Sequence, residues 1–300
     1  MATKISDNGF FSDEAIQKSD AIKQQYKQLF FYLAEVNEQA HRYLGLWQTG
    51  SINLRRLNLR QVFSAALFYR ALTAYQALTL LSQRGFASEV RATCRSILEA
   101  KFKLAYLLLE PEAAVLLIAK GEERRADRLR NMKSGELPVP QELSNYDWDS
   151  AIRKAEEHLK DAKGSKRRLP SLKNIAKKTG LERDYLGAYS FFSEATHAGH
   201  IELETYVKFS SGPTPTATFM YGPDSQLIGW VSLEGAGFLL DCIEISARIF
   251  RIRSSRDFEL LFKPILRRND EMIQRYRDLF LKQAGPGHPI GYPVTEQTRS

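Results

Sequence analysis

Over the first 110 positions apolar residues recur three and four apart, the spacing of one helix face, and no proline interrupts them. All eleven prolines fall at or after Pro111. The pattern predicts a first helix from about 13 to 46, capped by Ser12 and carrying Ile22, Tyr26, Leu29, Phe30, Leu33 and Val36 on one side. Gly50 and Ser51 open a loop. A second helix runs from about 56 to 83 and stops at Gly85, and a third covers about 87 to 109, ending before Pro111. A fourth, about 111 to 132, starts apolar at Val115–Ile118 and turns into a charge run from Glu122 to Arg130 that is expected to project into solvent.

Beyond Pro138 and Pro140 the pattern gives a surface helix from Trp148 to Lys163, a loop at 166–168, and short helices at about 172–178 and 182–197. Two β-prone runs, 216–221 and 227–232, flank Gly222-Pro223-Asp224 and read as a hairpin. The last two helices are expected at 233–252 and 257–282, with no repeat and no sustained heptad pattern anywhere. The expected fold is all-α: a bundle of long antiparallel helices with a basic helical insertion at about 135–180 and one small β-hairpin at about 214–232. It forms a single domain over 13–283, between a flexible N-terminus (1–12) and a flexible tail (284–300).

At 43% hydrophobic residues the 300-residue chain has material for a sizeable core. Its two cysteines, Cys94 and Cys242, lie far apart in apolar helical stretches, so neither disulfides nor a zinc site is suggested and a reducing cytoplasm is the natural setting. No run approaches the length of a membrane span, and the N-terminus lacks the apolar stretch of an export signal. The formal charge is +8, and it is concentrated: between Arg153 and Arg183 eleven basic residues face four acidic ones. Lys166, Arg167, Arg168, Lys173, Lys177 and Lys178 form the centre of this segment. Few aromatics interleave, a composition that suits phosphate contacts better than base readout. Its plain alternative is a solvated face.

Phosphate-binding glycine loops, HExxH and GxSxG are absent, which disfavours the common nucleotide-binding and hydrolase sites, and no cofactor is expected. Two polar stripes on apolar helices remain. Arg91, Arg95 and Glu99 share a face of the third helix, either as an exposed ladder or as a guanidinium held by Glu99 to grip a phosphate or carboxylate. Tyr185, Tyr189, Ser193, Thr196, His197 and His200 line one face of the 182–197 helix and its continuation. His197 is either a hydrogen-bonded core histidine or a general acid–base, since imidazole titrates nearest neutrality of the side chains. The His197/His200 pair has no third ligand nearby in sequence, so no metal is expected.

The stretch Arg91-Ala-Thr-Cys-Arg-Ser-Ile-Leu-Glu-Ala100, with Tyr189-Ser-Phe-Phe-Ser-Glu-Ala-Thr-His197, resembles a bacterial helical domain-of-unknown-function family, number 5677. Its members pair an R-S-L-L-E-A helix with a downstream Y-x-x-x-S-x-x-x-H helix, and the similarity spans roughly Arg56 to Ile252. The resemblance makes Arg95, Glu99, Tyr189, Ser193 and His197 the corresponding site residues. More distantly the layout resembles the HEPN superfamily, helical bundles that often dimerise and include metal-independent ribonucleases of toxin and antiphage systems. That resemblance implies a homodimer acting on RNA. Those ribonucleases carry an Arg four to six residues before a His, whereas Arg183 lies fourteen residues before His197, so Arg95 from another helix would have to complete a composite site. The rival expectation is a non-catalytic interaction module, its stripes a structural polar network and its basic segment docking an acidic partner or nucleic acid.

Overall fold

The computed structural model describes residues 3–48, 57–139, 141, 145–162, 168–197, 206–209, 216–219, 221–225 and 227–284. In chain order its helices are α1 (Ile5–Asn8), α2 (Asp13–Gln25), α3 (Lys27–Gln48), α4 (Leu59–Arg84), α5 (Ala87–Leu109), α6 (Ala113–Lys133), α7 (Trp148–Ala162) and α8 (Leu172–Lys178). There follow α9 (Glu182–Asp184), one π-helical stretch (Tyr185–Tyr189) and α10 (Ser190–His197). The strands β1 (Val207–Phe209) and β2 (Ala217–Phe219) separate these from α11 (Ile228–Ile249) and α12 (Arg256–Ala284). The protein is an all-α bundle, and no described helix is long and apolar enough to cross a membrane.

The bundle forms around α11, which carries apolar residues on every side and is therefore buried. Val231, Ala236, Leu239, Leu240 and Ile243 are shielded by α3, α4, α5 and α12. Small residues bring the backbones close: a Cβ on Gly235 would lie 2.7 Å from Leu78 of α4, and the Ser82 and Ser232 hydroxyls meet at 2.9 Å. α4 and α5 run antiparallel, joined at Gly85, with Arg60 donating to the Leu108 carbonyl at the far end. α11 instead runs parallel to α5: Cys94 lies by Val231 and Lys101 by Phe238 and Asp241. Buried tyrosines are tied down through their hydroxyls, Tyr43 to Ser246 at 2.8 Å and Tyr75 to the Leu33 carbonyl at 2.8 Å.

Three expectations are corrected. The helix expected over 13–46 is two helices, because the backbone leaves helical geometry at Tyr26 (φ −106°, ψ 22°), whose ring is buried among Phe30 and Tyr276. The apolar rhythm runs on across the break, so spacing alone could not locate it. The N-terminus expected to be flexible is packed from residue 3 onward: Ile5 is buried, its amide donates to Glu14 at 3.0 Å, and its carbonyl accepts from Tyr221 at 2.9 Å. The hairpin exists with different strands, Val207 opposite Phe219 and Phe209 opposite Ala217, while the run 227–232 opens α11. A short apolar run fits strand and buried helix alike, and here the helix continues into Leu233–Ile249. The tail beyond 284 lies outside the described residues.

The charge run of α6 does leave the body. It pairs antiparallel with α7 over a seam of Ala126, Ala151 and Ala155, with Arg130–Glu156 at 2.7 Å and Lys133–Asp149 at 2.6 Å across it. α8 then returns, burying Ile175 and Ala176.

Gly85 shows how tightly the ends are joined. It is left-handed (φ 78°), and a Cβ there would meet Ile22 and Pro223 at 2.8 Å, while its carbonyl accepts from the Asp224 amide at 2.9 Å. Gly85→Ala is therefore expected to cost about 2 kcal/mol, from left-handed strain plus the clash, as chemical denaturation would read.

Candidate functional site

α5 presents Arg95 and Glu99 one turn apart, and the guanidinium lies along the helix so that Nε donates to Glu99 Oε1 at 3.2 Å. Lys103, a further turn on, stands 3.7 Å from Glu99 Oε2. Arg91, first of the stripe, does not join them. It is buried, with its guanidinium 5.6 Å from the Phe191 ring centre, so the apparent ladder divides between core and site.

The facing helix reaches this group through an unusual backbone. The π-helical stretch over Tyr185–Tyr189 widens one turn, and the Tyr185 and Tyr189 rings stack at 5.0 Å against Phe102 of α5. Such single π-turns inside α-helices are frequent at functional sites. The Tyr189 hydroxyl accepts from Arg95 Nη2 at 2.8 Å and donates to Glu99 Oε1 at 3.2 Å. Two turns later His197 closes the set: its Nε2 lies 3.1 Å from Arg95 Nη1. Groups 102 positions apart in sequence thus meet, as the two stripes required.

A guanidinium is always a donor, so in this contact Nε2 of His197 is the acceptor. Arg95 is engaged at all three nitrogens, with its guanidinium carbon also 4.9 Å from the Tyr189 ring centre. Burial, and then the negative charge of Glu99, raise the Tyr189 phenol above its ordinary range, so it stays protonated at neutral pH. The cluster is reachable from water: His197 is exposed, while the Arg95 and Glu99 side chains keep 16% and 26% exposure. Desolvated on one side and open on the other, the guanidinium can exchange the imidazole for an anionic oxygen.

The Tyr189 and Ser193 hydroxyls are engaged elsewhere than at the imidazole. Ser193 Oγ donates to the Tyr189 carbonyl at 2.6 Å, and the Tyr189 hydroxyl serves Arg95 and Glu99, so Arg95 is what holds His197. Thr196 also turns to its own helix, at the Phe192 carbonyl. Of the basic residues, Arg168 is exposed just before α8, and Lys173, Lys177 and Lys178 are exposed on it. α8 packs on α5, the helix that supplies Arg95. Lys166, Arg167 and His200 lie outside the described residues. Among the described residues no group of His, Cys, Asp and Glu could hold a metal ion. Cys94 and Cys242 are buried, and burial pushes both thiols up, so neither is poised as a nucleophile.

Sequence reasoning missed four charged residues that mount this site. Lys101 of α5 is buried and bonds Asp184 of α9 and Asp241 of α11, with Glu234 of α11 nearby. The available signal was charge set among apolar neighbours: Lys101 between Leu98 and Leu104 of α5, and Glu234 and Asp241 within the apolar α11.

Neither a curated protein nor a solved structure matches the chain. The model of one family matches residues 61–213, just over half of the chain, a span that holds both α5 and α10. The helix pair bearing Arg95, Glu99, Tyr189, Ser193 and His197 is thus part of a shared domain, and the chain belongs to the Family of unknown function (DUF5677).

Proposed function

We propose that α5 and α10 form a metal-independent phosphodiester-cleaving site that acts on RNA. The observation that carries this reading is the 3.1 Å contact between Arg95 Nη1 and His197 Nε2 at a water-reachable junction of two helices. A phosphate oxygen arriving at Arg95 takes the place of the imidazole on Nη1. That exchange frees the Nε2 lone pair beside the substrate. His197 then accepts the ribose 2′-hydroxyl proton as the 2′-oxygen attacks phosphorus, and Arg95, braced by Glu99 and Tyr189, balances the charge that develops on the phosphorane oxygens. The phosphorus–5′-oxygen bond breaks, the 5′-oxygen takes a proton from water, and the products are a 2′,3′-cyclic phosphate and a 5′-hydroxyl. Only RNA supplies the nucleophile. The reading places the protein with metal-independent ribonucleases of the toxin and antiphage type.

The decisive assay incubates the purified protein with single-stranded RNA in EDTA and analyses the ends. Cyclic-phosphate termini are expected, and intact RNA would end the reading. Arg168, Lys173, Lys177 and Lys178 supply the backbone-guiding charge. Replacing Lys173, Lys177 and Lys178 by Glu should weaken RNA binding regardless of sequence and reduce the slope of log affinity against log salt by about 2, for three lost phosphate contacts on a single strand. Fluorescence anisotropy across a salt series reads both.

A second reading is favoured by the completeness of the cluster, in which Arg95 has all three nitrogens engaged without any ligand. On that view the network fixes helix register, and the basic α8 region docks an acidic partner or nucleic acid without cleavage. Arg95→Ala would then lower the melting temperature and change nothing else.

A further inference from the structure

Tyr185 belongs to the same stripe as Tyr189 and His197, yet the cleavage chemistry leaves it unused. Tyr189 is held through its hydroxyl by Arg95 and Glu99, and the buried Tyr32, Tyr43 and Tyr75 are likewise tied to Asn269, Ser246 and the Leu33 carbonyl. The Tyr185 hydroxyl has no partner among the described residues, and the residue is only half-buried. Its ring is nevertheless firmly placed. Tyr185 and Tyr189 open and close the π-turn, their rings stack 5.0 Å apart at an interplanar angle of 17°, and Phe102 stands tilted against both, at 6.3 and 6.1 Å. Tyr189 thus occupies one face of the Tyr185 ring, and no other ring lies parallel to it among the described residues. Leu186 beside it is an exposed apolar side chain, at 56%.

The place of this ring matters as much as its freedom. α8, the π-turn and α10 follow one another in the chain and all pack on α5. Lys177, Lys178 and Arg183 are exposed just before Tyr185, while Tyr189, Arg95 and His197 gather just after it. A chain of phosphates running from the basic helix to the Arg95 guanidinium therefore passes Tyr185.

We propose that the face of the Tyr185 ring turned away from Tyr189 is a stacking platform for one nucleobase of a single strand, whose phosphates are held by the α8 lysines and Arg95. The proposal rests on the RNA reading of the site and adds the form of the substrate. Tyr189 cannot serve in this way, because Tyr185 lies on its ring and the Arg95 guanidinium carbon stands 4.9 Å from its centre. A phenol ring accepts any base, since every base has a flat π-face, so the platform is indifferent to sequence. It is not indifferent to strandedness: a base inside a duplex has both faces covered by its neighbours and cannot add to Tyr185.

The test is fluorescence anisotropy of the full chain with a short single-stranded 2′-O-methyl RNA, whose blocked 2′-oxygen cannot attack phosphorus. The probe is compared with its paired duplex and with an abasic strand of the same length, which keeps the phosphates and lacks the bases. The parent should bind the single strand more tightly than either. Tyr185→Phe should bind as the parent does, and Tyr185→Leu, which keeps an apolar side chain without a π-face, should bind about 5- to 150-fold more weakly, the loss of one base–aromatic stack. Removing the bases should cost Tyr185→Leu less than it costs the parent by that same factor, because the two changes delete one contact. Equal affinity of the parent for the abasic strand or for the duplex would overturn the proposal without any variant. So would unchanged binding by Tyr185→Leu, or an abasic penalty as large in Tyr185→Leu as in the parent. These outcomes leave the cleavage chemistry standing. Tight, base-dependent binding of the probe beside intact unmodified RNA in EDTA would remove the cleavage step and keep the platform, and failure to bind any of the three probes would remove both.

Discussion

His197→Ala is expected to lower RNA cleavage by about 10²- to 10⁴-fold, the range for removal of a general base, while leaving the fold almost untouched. The asymmetry follows from where the ring sits. It is exposed in the last turn of α10, and among the described residues it is tied by the hydrogen bond to Arg95 at 3.1 Å. A partly solvated bond of that kind contributes about 1 kcal/mol or less, equivalent to roughly 2 °C in melting temperature for a chain of this size. Arg95 is different. Arg95→Ala would leave the Glu99 carboxylate, at 26% exposure, with the Tyr189 hydroxyl at 3.2 Å and Lys103 at 3.7 Å but without its guanidinium, so activity and stability should fall together. Arg95→Lys separates charge from geometry: an ammonium cannot reach Glu99, Tyr189 and His197 at once, and a loss near that of Arg95→Ala would identify the planar fork as the functional element. Cleavage assays in EDTA beside thermal melts of the same preparations check all three. Equal cleavage by His197→Ala with melting unchanged would leave the imidazole no catalytic part.

How far this site could be read beforehand depended on spacing. Arg95 and Glu99, and Tyr189, Ser193 and His197, recur at four-residue intervals, and a helix turns any such interval into a shared face. That the two faces meet needed the fold, because α5 and α10 are brought together by the burial of Phe102, Phe192 and Phe238, which carries no pairing information in sequence. Spacing also misled. It put Arg91 on one stripe with Arg95 and Glu99, and Ser193 on one with His197, whereas Arg91 lies against Phe191 and Ser193 turns its hydroxyl to the carbonyl one turn back. The π-turn that stacks Tyr185 on Tyr189 leaves no periodic trace, since inserting one residue in a turn moves a face by less than the width of the stripe. Long helices were legible for the opposite reason, that many weak repeats add. The single-residue break at Tyr26 and the helical fate of 227–232 turned on tertiary contacts, which override local preference in short runs.

Lys101→Met is expected to cost about 3–5 kcal/mol in chemical denaturation. Methionine fills nearly the same volume, so packing against Phe238 is kept and the loss isolates the charge. The ammonium offsets two carboxylates at 2.5 and 2.7 Å, and burial, which would by itself lower its pKa, is outweighed by Asp241 and Asp184, so it is held charged throughout the physiological range. Without it Asp184 and Asp241, which share this one ammonium, remain at 19% and 23% exposure without the cation between them. Their repulsion should also loosen α9, and with it the grip of Tyr189 on Arg95. Two further measurements fix the cause. The deficit should narrow at acidic pH, where protonated carboxyls no longer repel, and the triple variant Lys101→Met, Asp184→Asn, Asp241→Asn should recover most of the lost stability, because removing the ammonium together with the two carboxylates it bonds costs far less than removing it alone. A deficit that ignores pH and survives in the triple variant would assign the damage to packing, and the charge cluster would lose its part in holding the site.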